Sequence, residues 1–192
     1  GHSCEIAAMT PAIFGLSGHR LTDSERGFFR ESDPAGYILF GRNVESRAQL
    51  RALTDELHDI HGRERLLISI DQEGGRVQRM KGPHWQKFPP GDVFATLYRK
   101  APASAIEAAR ANAQALALDL AEVGITVDYL PLLDVRQPGA HDVIGDRALG
   151  EEPMQVAALG RAVLDGLAQG GVTGCIKHMP GHGRAMADSH KE

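Results

Sequence analysis

The sequence lacks closely spaced cysteines, basic clusters and long apolar runs, each of which marks a particular class of protein. Its only two cysteines, Cys4 and Cys175, lie far apart and form no closely spaced pair of metal ligands. The net charge of −4 is accompanied by no basic cluster, which nucleic-acid binding requires for phosphate neutralisation. No apolar run approaches the roughly 20 residues that span a bilayer, and the N-terminal residues lack the regions of a signal peptide. We therefore expect no nucleic-acid partner, no membrane association, and free thiols in a reducing cytoplasm.

The composition is that of an ordinary globular domain. The chain has 192 residues, of which 42% are hydrophobic and 24% are charged. This length suffices for one domain with a sizeable core. We expect a single domain over residues 1–192, without internal repeats or low-complexity linkers.

Four segments have the pattern of helices. Thr22 and Ser46 each stand three residues before a Glu or Gln, which is the spacing of a capping box. Apolar residues recur at helical intervals in the second and third segments, and Pro153 stands in the first turn of the fourth. Helices are therefore predicted over 22–30, 46–60, 104–124 and 153–171.

Five short apolar runs occur between these helices and beside them. Such runs are typical of strands buried on both faces of a parallel sheet, and their alternation with helices indicates βα units. Polar clusters follow nearly every run, at the strand ends where α/β barrels bind their ligands. The predicted strands occupy 12–16, 36–40, 66–70, 125–133 and 174–178.

The fold that these elements predict is α/β, a TIM (β/α)8 barrel. A closed barrel takes eight strands and typically about 250 residues, whereas about five strands are found here. We expect the chain to hold the first five strands of a barrel truncated on its C-terminal side. The rest of the barrel, or a second chain, would then cover the open edge. A smaller open α/β fold is the alternative.

The cluster DQEGGRVQR begins where the third predicted strand ends. Only one of Asp71 and Glu73 is expected to face a pocket. Two glycines permit a sharp turn, after which Arg79 follows. A carboxylate beside a forked guanidinium is suited to gripping vicinal hydroxyls, although the same residues would also form a structural ion pair.

Lys177 and His178 follow the fifth predicted strand. Charges beside the apolar Ile176 are expected to be partly buried, and a buried charge requires a partner. A polyhydroxyl ligand or a nearby Asp would supply one. Arg147, in VIGDRALG, is weaker evidence because loop arginines are usually solvated.

The segment PGHGRAMADSH places Asp188 one residue away from His190. Both side chains lie on the same side of an extended segment, where the carboxylate orients the imidazole and raises its basicity for proton transfer. A solvated loop is one alternative. Metal binding by a set drawn from His178, His182, Asp188 and His190 is another, but their spacing matches no compact helical ligand pair, so no metal site is predicted.

Three motifs together carry a family resemblance. In their order and spacing, DQEGGRVQR, IGDRALG and KHMPGHGRAMADSH resemble the NagZ-type β-N-acetylglucosaminidases of glycoside hydrolase family three. The resemblance implies a (β/α)8 enzyme that removes β-linked N-acetylglucosamine from the non-reducing end of a saccharide, with retention of configuration. It implies neither a metal nor an organic cofactor. The implied substrates are cytoplasmic muropeptides released during peptidoglycan recycling.

The resemblance also assigns roles to individual residues. Asp188 and His190 resemble a general acid/base dyad in which histidine replaces the usual carboxylic acid. Met179 and the stretch GRA at 183–185 differ from the residues that are commoner at these positions in the family. Neither difference changes Asp188 or His190. The nucleophilic Asp of the family is expected beyond Glu192. The residues that resemble the sugar-binding set are Asp71, Arg79, Arg147, Lys177 and His178.

Three other functions remain open at this point. One is a related β-glucosidase or xylosidase, although such enzymes generally lack the KHxPGHG…DSH loop. Another is a non-catalytic saccharide-binding module, which the missing nucleophile favours. The third is a metal-dependent hydrolase.

Overall fold

A computed structural model describes residues 10–63, 65–137 and 143–178. Strands and helices alternate along most of this part of the chain. The strands are β1 (Thr10–Phe14), β2 (Pro34–Leu39), β3 (Leu67–Ile70), β4 (Gln72–Gly74), β5 (Val77–Gln78), β6 (Val127–Asp128) and β7 (Thr173–Gly174). The helices are α1 (Asp23–Ser32), α2 (Arg47–His61), α3 (Gly91–Lys100), α4 (Pro102–Glu122) and α5 (Pro153–Gln169).

Five of the strands form one parallel sheet. Its order is β1-β2-β3-β6-β7, and every pair of neighbours is parallel. The pairing of Ile70 with Asp128, and of Asp128 with Gly174, brings the ends of β3, β6 and β7 to the same edge. The sheet is therefore a partial (β/α) barrel of five strands, as the apolar runs predict.

The helix starts follow from their capping residues. The Thr22 side chain accepts from the Glu25 N–H, and the Glu25 carboxylate accepts from the Thr22 N–H in return. Ser46 and Gln49 form the same reciprocal pair at the start of α2. Both predicted capping boxes are thus confirmed, and each satisfies backbone donors that a helix terminus leaves unpaired.

A helix and a hairpin were not predicted. The first is α3, which begins at Gly91 after Pro90 and has no side-chain cap, so no start signal precedes it. Its first residue must be small, because a Cβ on Gly91 would lie 2.5 Å from the carbonyl oxygen of Arg147. The second is the antiparallel hairpin β4–β5, which turns through Gly74 and Gly75, both at positive φ.

The core lies between the sheet and its helices. Strand residues such as Tyr37 and Ile68 pack with Leu53 of α2 and Leu116 of α4, all completely buried. Helices α4 and α5 approach each other so closely that a Cβ on Gly166 would lie 2.2 Å from the Arg110 carbonyl oxygen. Within the described ranges, no helix is long and apolar enough to cross a membrane.

Candidate active site

The polar residues that follow β3 and β7 meet at the carboxyl edge of the sheet. Asp71 comes directly after β3, and an isolated parallel bridge between Leu132 and Lys177 extends the pairing of β7 beyond Gly174. Arg147 reaches the same edge from a short 3-10 turn over Gly145–Arg147. Carboxyl ends of parallel strands are where α/β barrels collect their functional groups.

Lys177 lies at the centre of this cluster. Its Nζ is 2.8 Å from Asp71 Oδ1 and 2.6 Å from Glu73 Oε1, while only 14% of its side chain is exposed. Burial of an ammonium group is costly unless it is paired, and two carboxylates supply that pairing here. The sequence predicts that either a polyhydroxyl ligand or a nearby Asp is the partner of Lys177. Among the described residues, Asp71 fills this role together with Glu73.

Glu73 also holds Arg147 through two hydrogen bonds. Arg147 Nε and Nη2 donate to Glu73 Oε2 and Oε1 at 3.0 and 2.8 Å. Both side chains are almost completely buried, at 12% and 5% exposed. Burial alone lowers the pKa of Arg147, but the hydrogen bonds and charge of Glu73 outweigh it and raise that pKa. Arg147 is therefore a fixed, charged part of the site, and the solvated-loop alternative for it is wrong.

Asp71 and Glu73 are two residues apart, a spacing that places both side chains on the same face of an extended strand. Asp71 lines the cavity described below, whereas Glu73 lies behind it and does not. Both carboxylates nevertheless reach the same ammonium of Lys177. Glu73 was not among the predicted site residues, although its position two residues after Asp71 was the available signal.

Arg79 faces the site, and most N–H groups of its guanidinium form no hydrogen bond to a described residue. Its Nη2 lies 3.8 Å from Asp71 Oδ2, which is an ion pair but too long for a hydrogen bond. Its buried Nε has no hydrogen-bond partner among the described residues. The guanidinium is thus oriented by Asp71 and keeps N–H groups for a ligand.

His178 is held by a carboxylate that sequence reasoning did not select. Asp134 Oδ2 lies 2.9 Å from His178 Nδ1 and accepts from the His178 backbone N–H at 3.3 Å. Asp134 is buried, with 1% of its surface exposed. Its signal was its position directly after the fourth predicted strand, in LPLLDVR. The pair fixes the orientation of the imidazole.

The predicted sugar-binding residues surround a single polar cavity of about 200 Å³. We call it the sugar cavity. Carboxylate oxygens accept and cationic nitrogens donate hydrogen bonds, so its walls match a ligand rich in hydroxyl groups. All five residues predicted for sugar binding are brought together here. The lining is formed by Asp71, Val77, Arg79, Val143, Arg147, Lys177 and His178.

A further carboxyl group lies beneath the cavity. Asp128 is completely buried, its Oδ1 accepts from the Gln72 N–H at 3.0 Å, and its Oδ2 has no partner among the described residues. Burial raises the pKa of Asp128 well above its ordinary value. The Gln72 hydrogen bond and Lys177 lower it only in part, and Asp71 and Glu73 raise it. Because Gln72 stands between the two site carboxylates, Asp128 fixes the backbone that positions them.

The predicted dyad of Asp188 and His190 lies outside the described residues, as does His182. The prediction for these positions therefore remains a prediction. Among the residues that the structure describes, no group of three His, Cys, Asp or Glu side chains is arranged to hold a metal ion.

Comparison with known proteins identifies the family. Residues 12–192 match the family described as the glycosyl hydrolase family 3 N terminal domain. The chain belongs to this family, as the three motifs predict. Its partial barrel is the N-terminal, TIM-barrel-like domain of that family.

Individual relatives agree with this assignment. A β-hexosaminidase of Bordetella avium (strain 197N) is 40% identical over 182 residues, 95% of this chain and 51% of that protein. A β-hexosaminidase of Aromatoleum aromaticum is 37% identical over 188 residues, 97% of this chain and 52% of that protein. The chain thus spans about half the length of the curated relatives that it matches.

Solved structures show the same fold. NagZ from Neisseria gonorrhoeae in complex with N-trifluoroacetyl-D-glucosamine has a TM-score of 0.88 and 36% identity, with 95% of this chain and 53% of that chain covered. A family 3 β-N-acetylglucosaminidase from Paenibacillus sp. has a TM-score of 0.84 and 33% identity, with 93% and 33% covered.

Proposed function

We propose that the protein to which this chain belongs is a retaining β-N-acetylglucosaminidase. It removes terminal, non-reducing N-acetylglucosamine from a saccharide. The observation that carries the proposal is the convergence of five predicted sugar-binding residues on one cavity, in a chain of this glycosidase family. The solved relative with N-trifluoroacetyl-D-glucosamine supports the same choice of sugar.

In this proposal the residues of the cavity grip the sugar. Asp71 accepts hydrogen bonds from hydroxyl groups while Arg79 and Lys177 donate to their oxygens. Arg147 and His178, held by Glu73 and Asp134, complete a rigid wall. Groups that need no reorganisation during the reaction bind the transition state better than mobile ones.

The chemistry is assigned to residues outside the described ranges. His190, oriented by Asp188, acts as general acid on the glycosidic oxygen and then as general base on water. A carboxylate nucleophile beyond Glu192 forms the glycosyl-enzyme intermediate that retention of configuration requires.

The physiological substrate is a further part of the proposal. We assign the enzyme to muropeptide fragments of peptidoglycan, acting in the cytoplasm during cell-wall recycling. The support is the KHMPGHGRAMADSH motif, through the resemblance that it carries.

A comparison of two chromogenic substrates tests the proposal on the complete protein. An aryl β-N-acetylglucosaminide should be hydrolysed, and the matching aryl β-glucoside should be hydrolysed far more slowly. The reverse preference would identify a related β-glucosidase. Binding of N-acetylglucosamine without turnover of either substrate would identify a saccharide-binding module. Loss of turnover on chelation would identify a metal-dependent hydrolase.

A further inference from the structure

Gln72 is a buried polar residue at the start of β4, with 1% of its surface exposed. Neighbouring side chains of an extended strand point to opposite faces, so Gln72 points away from Asp71 and Glu73. It does not line the sugar cavity. Buried amides are nearly always hydrogen-bonded, and the partners of this one therefore indicate what it does.

The Gln72 side chain binds the backbone of the two residues that follow β5. Its Oε1 accepts from the Arg79 N–H at 2.9 Å and from the Met80 N–H at 3.0 Å. Its Nε2 donates to the Met80 carbonyl oxygen at 3.1 Å. Strand β5 ends at Gln78, so the pairing of the hairpin does not extend to these residues. The amide of Gln72 holds them in its place.

This support matters for Arg79 because its own side chain is held weakly. The guanidinium lines the sugar cavity, yet its Nε has no hydrogen-bond partner among the described residues. Its Nη2 is 3.8 Å from Asp71 Oδ2, beyond hydrogen-bond distance. The position of the guanidinium therefore depends on the backbone from which it extends, and Gln72 fixes that backbone at the Arg79 N–H.

The backbone of Gln72 is fixed in turn by Asp128. The Gln72 N–H donates to Asp128 Oδ1 at 3.0 Å, and Asp128 is completely buried in the parallel sheet. Gln72 is also bonded covalently to Asp71. It thus connects the sheet to Asp71 through a peptide bond and to Arg79 through its amide. This connection sets the separation of the two sugar-binding groups more firmly than their long ion pair does.

We propose that Gln72 is a positioning residue, which holds the Arg79 guanidinium at a fixed place beside the Asp71 carboxylate. The inference rests on the proposed function, because it requires that both groups grip the N-acetylglucosamine unit. Groups held in place before the substrate binds need no reorganisation in the transition state. Gln72 therefore raises the rate through Arg79, without touching the sugar itself.

A double-mutant cycle in the complete enzyme tests this inference. Gln72→Met keeps the length of the side chain and removes both hydrogen-bonding groups. It should lower kcat/KM for an aryl N-acetylglucosaminide by about 10- to 100-fold, since a displacement of about 1 Å can cost that much. Made in the Arg79→Ala enzyme, the same substitution should cost less than about twofold, because the group that it positions is already absent.

Gln72→Glu provides the conservative comparison. Burial favours the neutral form of the introduced carboxyl group. That form keeps an oxygen that accepts from the Arg79 and Met80 N–H groups, and its O–H can donate to the Met80 carbonyl oxygen. We therefore expect Gln72→Glu to retain much more of the activity than Gln72→Met. If Gln72→Met does not fold, Gln72→Asn replaces it in the cycle, because its shorter amide cannot reach the Arg79 N–H.

Gln78→Met is the matched control. Gln78 pairs with Gln72 across the hairpin and is also buried, but its amide binds the Gln86 carbonyl oxygen and the Phe88 N–H. Its substitution should lower the thermal midpoint about as much as Gln72→Met does. Any loss of kcat/KM that it causes should be the same with and without Arg79, because Gln78 does not bind the Arg79 N–H.

The outcomes distinguish this inference from the proposed function. If Gln72→Met lowered kcat/KM by the same factor with and without Arg79, Gln72 would have a structural role alone and the inference would be wrong. An equally large loss in Gln72→Glu would also overturn it. In both cases the unsubstituted enzyme still hydrolyses the aryl N-acetylglucosaminide, so the proposed function stands. No hydrolysis by the unsubstituted enzyme would overturn both.

Discussion

Lys177 Nζ lies 2.8 Å from Asp71 Oδ1, although 106 residues separate the two in the sequence. Their strands are not neighbours, because β6 lies between β3 and β7. The lysine therefore reaches over the end of β6, and the buried Asp128 occupies the position beneath it. One ammonium group connects the ends of two non-adjacent strands, so the site depends on the correct assembly of the sheet.

Substitution of a cation of the sugar cavity should weaken transition-state binding. We expect Arg79→Ala in the complete enzyme to lower kcat/KM by about 10- to 150-fold, because a hydrogen bond to a charged group is worth about 1.5–3 kcal/mol. Arg79 is the sharper choice because its side chain makes no hydrogen bond to a described residue, so its loss should not disturb the fold. Steady-state kinetics on an aryl N-acetylglucosaminide measures the effect. The Lys100→Ala variant is the control, and an equal loss in both variants would contradict the assignment.

Glu73 should be needed for stability as well as for activity. Glu73→Gln removes the negative charge that pairs with both Arg147 and Lys177, and leaving buried charges uncompensated costs about 3–5 kcal/mol. By contrast, Asp165→Asn removes one partner of an exposed pair with Arg161, which is worth less than about 1 kcal/mol. Thermal unfolding of the two variants of the complete protein compares these costs. Similar midpoints would mean that the Glu73 network contributes no net stability.

Relative to the unsubstituted protein, the free energy of unfolding of the Asp128→Asn variant should increase as pH rises above about 4. At lower pH, the folded and unfolded chains both hold the Asp128 proton, so the substitution removes no charge. Above that pH the unfolded chain releases the proton while the folded chain keeps it, because burial raises the pKa of Asp128. Folding then requires proton uptake, and its cost grows with pH until the folded pKa is reached.

The measurement is the difference in thermal midpoint between Asp128→Asn and the unsubstituted protein from pH 4 to pH 8. Asparagine cannot ionise, and its Oδ1 still accepts from the Gln72 N–H. The difference should therefore grow with pH. A difference that stays constant would show that Asp128 does not exchange a proton on folding.

The sequence predicts the parts of this site that depend on chain direction and strand ends. Apolar runs locate β3 and β7, and parallel pairing then forces Asp71 and Lys177 to one edge. Glu73 and Asp134 were missed because their roles depend on which side chains they meet across the sheet. Arg147 was undervalued for the same reason, since nothing local shows that a loop arginine is buried against Glu73. Helix α3 was missed because packing of Gly91 against Arg147, rather than a capping side chain, defines its start.

His190 is predicted to be the general acid, and leaving-group dependence tests this role. An activated nitrophenolate departs with little protonation, whereas a sugar alkoxide requires it. His190→Ala should therefore slow cleavage of a substrate with a sugar leaving group by about 10²- to 10⁴-fold more than cleavage of the nitrophenyl substrate.

Asp188→Asn provides a graded comparison in the same assay. It keeps the imidazole but removes its charged partner, so the leaving-group dependence should have the same direction and a smaller size. Arg79→Ala is the matched control, because a residue that only grips the sugar should affect both leaving groups equally. If His190→Ala behaved like Arg79→Ala, with equal losses on both substrates, His190 would be a binding residue and the proton would come from another group.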